Sequence, residues 1–190
     1  MQPIDTASPQ GDALNMRVAV TVAILATFMG ICKVKDDNIC QAMQQVQANR
    51  VDHWAYYQAR NIREEIARST IVELRLAALG RPPQEQQAYR EAMDNYQHIA
   101  DEQKLKKDEA KGQAEQDQKE YDAANFKDDQ FDLSDAALAI AIALLAMTAL
   151  TGQRWLFAVS MIPVGFGILM GLSGLFGWTL HPSALVAMLS

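Results

Sequence analysis

Asp94, His98 and Glu102 follow one another at four-residue spacing, which on a helix sets two carboxylates and an imidazole along one face. These are donors of the kind found in carboxylate–histidine metal sites, and a chain that doubled back could bring Glu65 towards His98. The surrounding run, DEQKLKKDEAKGQAEQDQKEYD, argues for a plainer role. It pairs Glu102 with Lys106, Lys104 with Asp108 and Glu115 with Lys119 at helical spacing. Such pairs each contribute about 0.2–0.5 kcal/mol to an exposed helix, so the face is solvated and no metal is assigned to it. Glu64 and Glu65 are adjacent and point in different directions. Cys32 and Cys40 stand at a spacing that fits neither a zinc nor a redox motif, and both are expected to be free thiols. The sequence contains no glycine-rich phosphate loop, nucleophile elbow or zinc-binding helix motif. The expectation is a non-enzymatic chain with no catalytic residue, cofactor or metal.

The other concentration of special side chains is VDHWAYYQARNIREEI, residues 51–66. A cage for a cationic ligand needs rings converging on a pocket, which no sequence shows. Neighbouring helical positions are about 100° apart, so Trp54, Tyr56 and Tyr57 cannot all face one partner helix. The surplus of ring surface suggests either a structural stripe or a second interface, and Trp54, Tyr56, Tyr57, Ile62 and Ile66 are its candidate residues. Replacing Trp54 and Tyr57 by alanine is expected to shrink any oligomer they hold.

These residues need elements to carry them, and segregation of the sequence supplies those. The averages over 190 residues, 49% hydrophobic, 21% charged and a net charge of −6, suggest one soluble domain, but they conceal two kinds of chain. Residues 36–130 are rich in charge and glutamine, whereas 18–32, 136–151 and 155–180 carry no charged side chain. Uncharged runs of this kind are membrane-span candidates. The fold class expected is an all-α membrane protein: three transmembrane helices at 17–35, 133–152 and 155–178, and a long, coiled-coil-like antiparallel hairpin over 36–130. Tails occupy 1–16 and 179–190, the second broken by Pro182 and possible as an interfacial helix. The first apolar run is expected to stay as an anchor, because Ile31 sits where signal cleavage needs a small residue. Mild acidity without a basic stripe argues against nucleic acid.

The hairpin rests on one interruption, LGRPPQ. Gly80 suits a helix C-terminus and Pro82 or Pro83 can begin the next helix, placing the turn at 80–83. The two arms are nearly equal, each reaching roughly 65 Å at the helical rise, so the chain returns to its starting surface. Heptad reading gives Ile39, Met43, Val46, Arg50, His53 and Tyr57, then, after a drift, Ile62, Ile66 and Leu74. The second arm offers Tyr89, Met93, Tyr96, Ile99 or Ala100, Ala110, Ala114, Tyr121 and Ala124. Ser134 or Asp135 would cap the second span, and Pro163 would bend the third. Between these spans, Ala139, Ala143, Ala146 and Ala149 are expected to face Gly167, Gly171 and Gly174, since helices in lipid associate through close backbone approach.

WAYYQAR, Trp54 to Arg60, resembles the signature of a bacterial membrane family known as domain of unknown function 4337, with Arg60 where lysine is common. The resemblance implies one span, a helical segment bearing this motif and a close pair of spans in a bacterial inner membrane, and it implies no catalytic residue. Three functions fit. The first is a self-associating membrane scaffold, as a homo-oligomer in the lipid bilayer. The second is an accessory subunit docking a larger membrane complex through the glycine and alanine faces. The third is an oligomeric channel around Thr21, Thr27, Thr148 and Ser160. Arg17 and Arg154 favour a cytoplasmic N-terminus and a periplasmic hairpin; Lys33 and Lys35 argue the reverse, and the short loop is given more weight.

Overall fold

The computed structural model describes residues 9–180, with side chains from Asp12. Of the tails expected at 1–16 and 179–190, residues 1–8 and 181–190 lie outside the described residues, and residues 9–16 belong to the first helix instead of a tail. Helix α1 spans Pro9–Ala77, α2 Pro83–Thr151 and α3 Arg154–Phe176. Among the described residues there is no strand, and all three helices are long and apolar enough to cross a membrane.

Local chemistry accounts for the breaks. The end of α1 tightens through bonds from the Ala78 amide to the Leu74 carbonyl and from the Leu79 amide to the Leu76 carbonyl, and Gly80 then turns at φ +76°. Pro83 opens α2, and the Pro82 carbonyl accepts from the amides of Glu85 and Gln86. Gly152, at φ +66°, ends α2. Helix α3 continues through Pro163 to a left-handed cap at Gly177, where the Trp178 amide reaches the Ser173 carbonyl at 2.9 Å.

One expected boundary is absent. Neither Ser134 nor Asp135 caps a new helix, because α2 runs unbroken through both. No proline lies between Pro83 and Gly152, and extending an existing helix costs far less than nucleating another. The freed Ser134 hydroxyl instead donates to the Gly167 carbonyl on α3 at 2.8 Å.

The chain divides into two units. The apolar unit comprises residues up to Ala42 and from Ala123 onward. Its core joins Val18 and Leu25 of α1, Leu138, Ala141 and Leu145 of α2, and Val164 of α3. Phe28, Met29, Phe157 and Ile168 pack around it. Gly167, Gly171 and Gly174 are buried, and each sits where a side chain would collide. A Cβ at Gly167 would stand 2.7 Å from Leu138 Cγ, and one at Gly171 2.7 Å from the Phe28 ring. The alanines expected opposite these glycines are not there: Ala139, Ala143, Ala146 and Ala149 are exposed. Leu138, Ser134 and Phe131 fill the places instead, since α2 turns these residues onto the glycine surface and those four alanines outward.

The polar unit, Met43–Asp122, pairs parts of α1 and α2. Sheltered positions on α1 recur at alternating steps of three and four: Met43, Val46, Arg50, His53, Tyr57, Arg60, Glu64, Ala67, Ile71 and Leu74. Those on α2 do the same from Gln86 through Tyr89, Met93, Tyr96, Ala100, Gln103, Lys107, Ala110, Ala114 and Asp117 to Tyr121. Both series keep the three-and-four spacing of a heptad pattern, and together they form a seam between the two helices. Partners descend along α2 as they ascend along α1, from His53 with Asp117 to Glu64 with Lys107. The drift expected after Tyr57 does not occur. Ile62 and Ile66 are each 59% exposed, because the seam continues through Arg60 and Glu64, whose charged ends find partners there.

Candidate functional site

Within the polar unit, the seam is held by charge. Glu64 is buried, with Lys107 Nζ at 2.6 Å and Arg68 at 2.8 Å. The Lys107 ammonium, more than any other neighbour, holds the Glu64 carboxyl below the usual range, and Glu64 in turn raises Lys107. Lys107 also donates to Asn61 at 3.2 Å. His53 Nδ1 and Asp117 Oδ2 are 2.7 Å apart, and Arg50 donates to Gln118 while lying over the Tyr121 ring.

The aromatic stretch divides between faces. Trp54 and Tyr57 meet edge-to-face at 5.4 Å between centroids, with Tyr57 on the seam and Trp54 38% exposed. Tyr56 lies on the outside beneath Arg60, whose guanidinium carbon is 4.3 Å from the ring centroid. Arg60 donates to the Tyr56 hydroxyl and, at 3.0 Å, to Gln103 on α2. Arg60 is therefore a clamp between α1 and α2, and the rings do not enclose a pocket. Asp94, His98 and Glu102 are all exposed, and Glu102 is paired with Lys106.

In the apolar unit, the hydroxyls considered for a pore are occupied locally. Thr21, Thr27 and Thr148 each donate to the carbonyl four residues earlier, and Ser160 to Phe157 three earlier. Gln130 has a different role. It is fully buried, and its amide donates towards Ser173 Oγ and the carbonyls of Trp178 and Leu180, satisfying acceptors beyond the end of α3.

The densest chemistry was missed by sequence reasoning. Asp36 and Cys40 of α1 and Asp128 of α2 bring one ligand atom each to within 4.8 Å of one another. Cys40 Sγ donates to Asp128 Oδ1 at 3.0 Å, and Lys33 Nζ reaches Asp36 Oδ2 at 2.8 Å. Burial, with Asp36 close by, raises the Asp128 carboxyl above the usual range. The hydrogen bond to Asp128, helped by burial, pushes the Cys40 thiol up to about 11, so at neutral pH it is protonated and a poor nucleophile. Both cysteines are free thiols. The signal was available: Asp36 and Cys40 share one helical face, and Asp128 lies within one residue of the same distance beyond the Gly80–Pro83 turn as Asp36 lies before it.

No curated protein and no solved structure matches the chain. The sequence profile of one family, described as a domain of unknown function (DUF4337), matches residues 14–177. Since that match covers nearly all of the described helices, the chain belongs to the DUF4337 family.

Proposed function

We propose that this protein is a non-enzymatic scaffold of the bacterial inner membrane, in which three spans anchor a long antiparallel hairpin that self-associates on the periplasmic side. The observation that carries the reading is a second set of exposed apolar side chains on α1, interspersed with Gln58, Glu65 and Glu73. Val51, Trp54, Ile62, Ile66, Val72 and Leu76 are all exposed, and at about 100° per residue they fall within one face turned away from the heptad seam. A polar helix gains nothing from such a stripe in water, whereas a second copy of the same stripe would bury it. The outward apolar residues of the other unit, among them Val20, Ile24, Ile140 and Ile162, suit contact with lipid in the same way.

The test is the mass of the detergent-extracted particle. Wild type is expected to run as an oligomer, and Trp54→Ala combined with Ile62→Ser and Ile66→Ser as a smaller particle with unchanged helix content. A wild-type monomer, or an oligomer unaffected by the triple change, overturns self-association through this stripe. Labelling of Cys40 in intact cells by an impermeant thiol reagent tests the side of the membrane, with labelling expected after partial unfolding exposes the thiol; protection under that condition places it inside.

A further inference from the structure

We propose that Asp36, Cys40 and Asp128 form a binding site for a divalent transition-metal cation of borderline softness, zinc being the best match. Three observations within the apolar unit converge on it. Donors from two helices are gathered within 4.8 Å, Asp36 and Cys40 by their four-residue spacing on α1 and Asp128 from α2. Asp36 is 3% exposed, and its Oδ1 has no hydrogen-bond partner among the described residues. Lys33 satisfies only the other oxygen, Oδ2. A buried carboxylate oxygen left without a donor is costly, and a second carboxylate beside it adds repulsion. A cation removes both penalties at once.

The donor set selects the cation. A thiolate is a poor ligand for magnesium or calcium, which take oxygen shells. Two carboxylates are poor ligands for copper(I), which takes soft sulfur. Zinc accepts sulfur and oxygen together in a tetrahedron, with water completing four ligands. At zinc–sulfur and zinc–oxygen distances of about 2.3 and 2.1 Å, tetrahedral ligands stand about 3.5 Å apart. The 3.0 Å between Cys40 Sγ and Asp128 Oδ1 is a thiol hydrogen bond somewhat shorter than that. On loading, the thiol releases its proton to solvent, sulfur keeps its electron pair and donates it to the metal, and the pair opens slightly. No oxidant or reductant takes part. The sequence expectation assigned no metal, because it weighed cysteine spacing along the chain and not a lone cysteine completed by carboxylates from another helix.

The experiment is a cobalt(II) titration of the full chain, purified in detergent and stripped with a chelator. A single equivalent of Co2+ is expected to give a sulfur-to-cobalt charge-transfer band in the near ultraviolet and intense tetrahedral bands in the visible, both removed by one equivalent of Zn2+. Cys40→Ser should abolish the sulfur band, and Asp36→Asn should weaken Zn2+ competition at least about tenfold. Cys32→Ser should leave both unchanged, and far-ultraviolet circular dichroism checks that each variant remains helical. Absence of a sulfur band in the wild type overturns the site and leaves the carboxyl groups sharing a proton. A band that survives Cys40→Ser, or binding without any sulfur band, assigns the metal elsewhere on the surface and overturns it equally.

Discussion

In the apolar unit the largest fully buried side chains are Leu25, Leu138 and Leu145, and three glycines let helices approach until a methyl group would not fit. In the polar unit the comparable places hold Glu64, Gln103 and Asp117, interspersed with Ala67, Ala100, Ala110 and Ala114. Both regions hold helices side by side, yet the first relies on shape and the second on matched charge. Alanine layers bury little apolar area, so they supply modest energy and many acceptable registers. A buried ion pair adds little net stability but makes wrong registers costly, because each slip strands a charge. The polar unit is thus specified more than it is stabilised, and the apolar unit is the reverse.

The sharpest way to break this contrast is to fill a glycine notch. Gly167→Val places its first carbon against Leu138 Cγ, near the root of a fully buried side chain, and 3.2 Å from the Ser134 carbonyl. Neither neighbour can swing aside, so a loss of about 2–3 kcal/mol is expected in detergent unfolding. Gly165→Ala faces open space within 4 Å and should change stability little. Equal effects from the two would mean that close approach does not hold these helices.

Next in size is the charge seam. Lys107→Met leaves Glu64 with Arg68 alone and is expected to cost about 2 kcal/mol. Replacing both partners, Glu64→Leu with Lys107→Leu, should be neutral or stabilising while loosening the register, measurable as a wider set of cross-links between engineered cysteine pairs. The pH dependence follows from the same pair. Glu64 is held below its ordinary value when folded, so its contribution is complete above the unfolded pKa of roughly 4.3 and is lost as pH falls through the lower folded value. Wild type should therefore lose stability on acidification, and Lys107→Met should flatten that part of the profile. A profile unchanged by Lys107→Met would remove the pair as the cause.

The unequal chemistry of the two regions also explains what the sequence reveals. An all-helical chain with three long apolar segments follows from uncharged runs set against a charged, glutamine-rich middle, and the family resemblance noted in the sequence agrees with the profile match over residues 14–177. The alanine face was misassigned because small residues mark close approach only when the opposite helix supplies a large side chain, and here Leu138 and Phe131 do so against glycine. The acid–thiol cluster was overlooked because Asp36 and Cys40, though on one face of α1, gain their third member only after α1 and α2 are paired.

The most discriminating comparison is the difference between two isoleucines only five residues apart on α1. Hydrophobicity alone favours Ile66 as a seam residue, with Ile62 one turn before it, and a pattern reader steps from one to the other past Glu64. The seam runs instead through Glu64, Ala67 and Ile71, where Ile71 is 9% exposed and Ile66 59%. A charged side chain can occupy a sheltered position when a partner waits there, so Lys107 decides the phase that hydrophobicity would have set otherwise. Ile71→Ala should therefore cost about 2 kcal/mol, the lower end for truncating a buried isoleucine, because this two-helix seam can partly collapse. Ile66→Ala, measured on the dissociated chain, should stay within about 0.5 kcal/mol of wild type. If the two losses were reversed, the register would lie one step away, Glu64 would face solvent, and the polar seam would not exist.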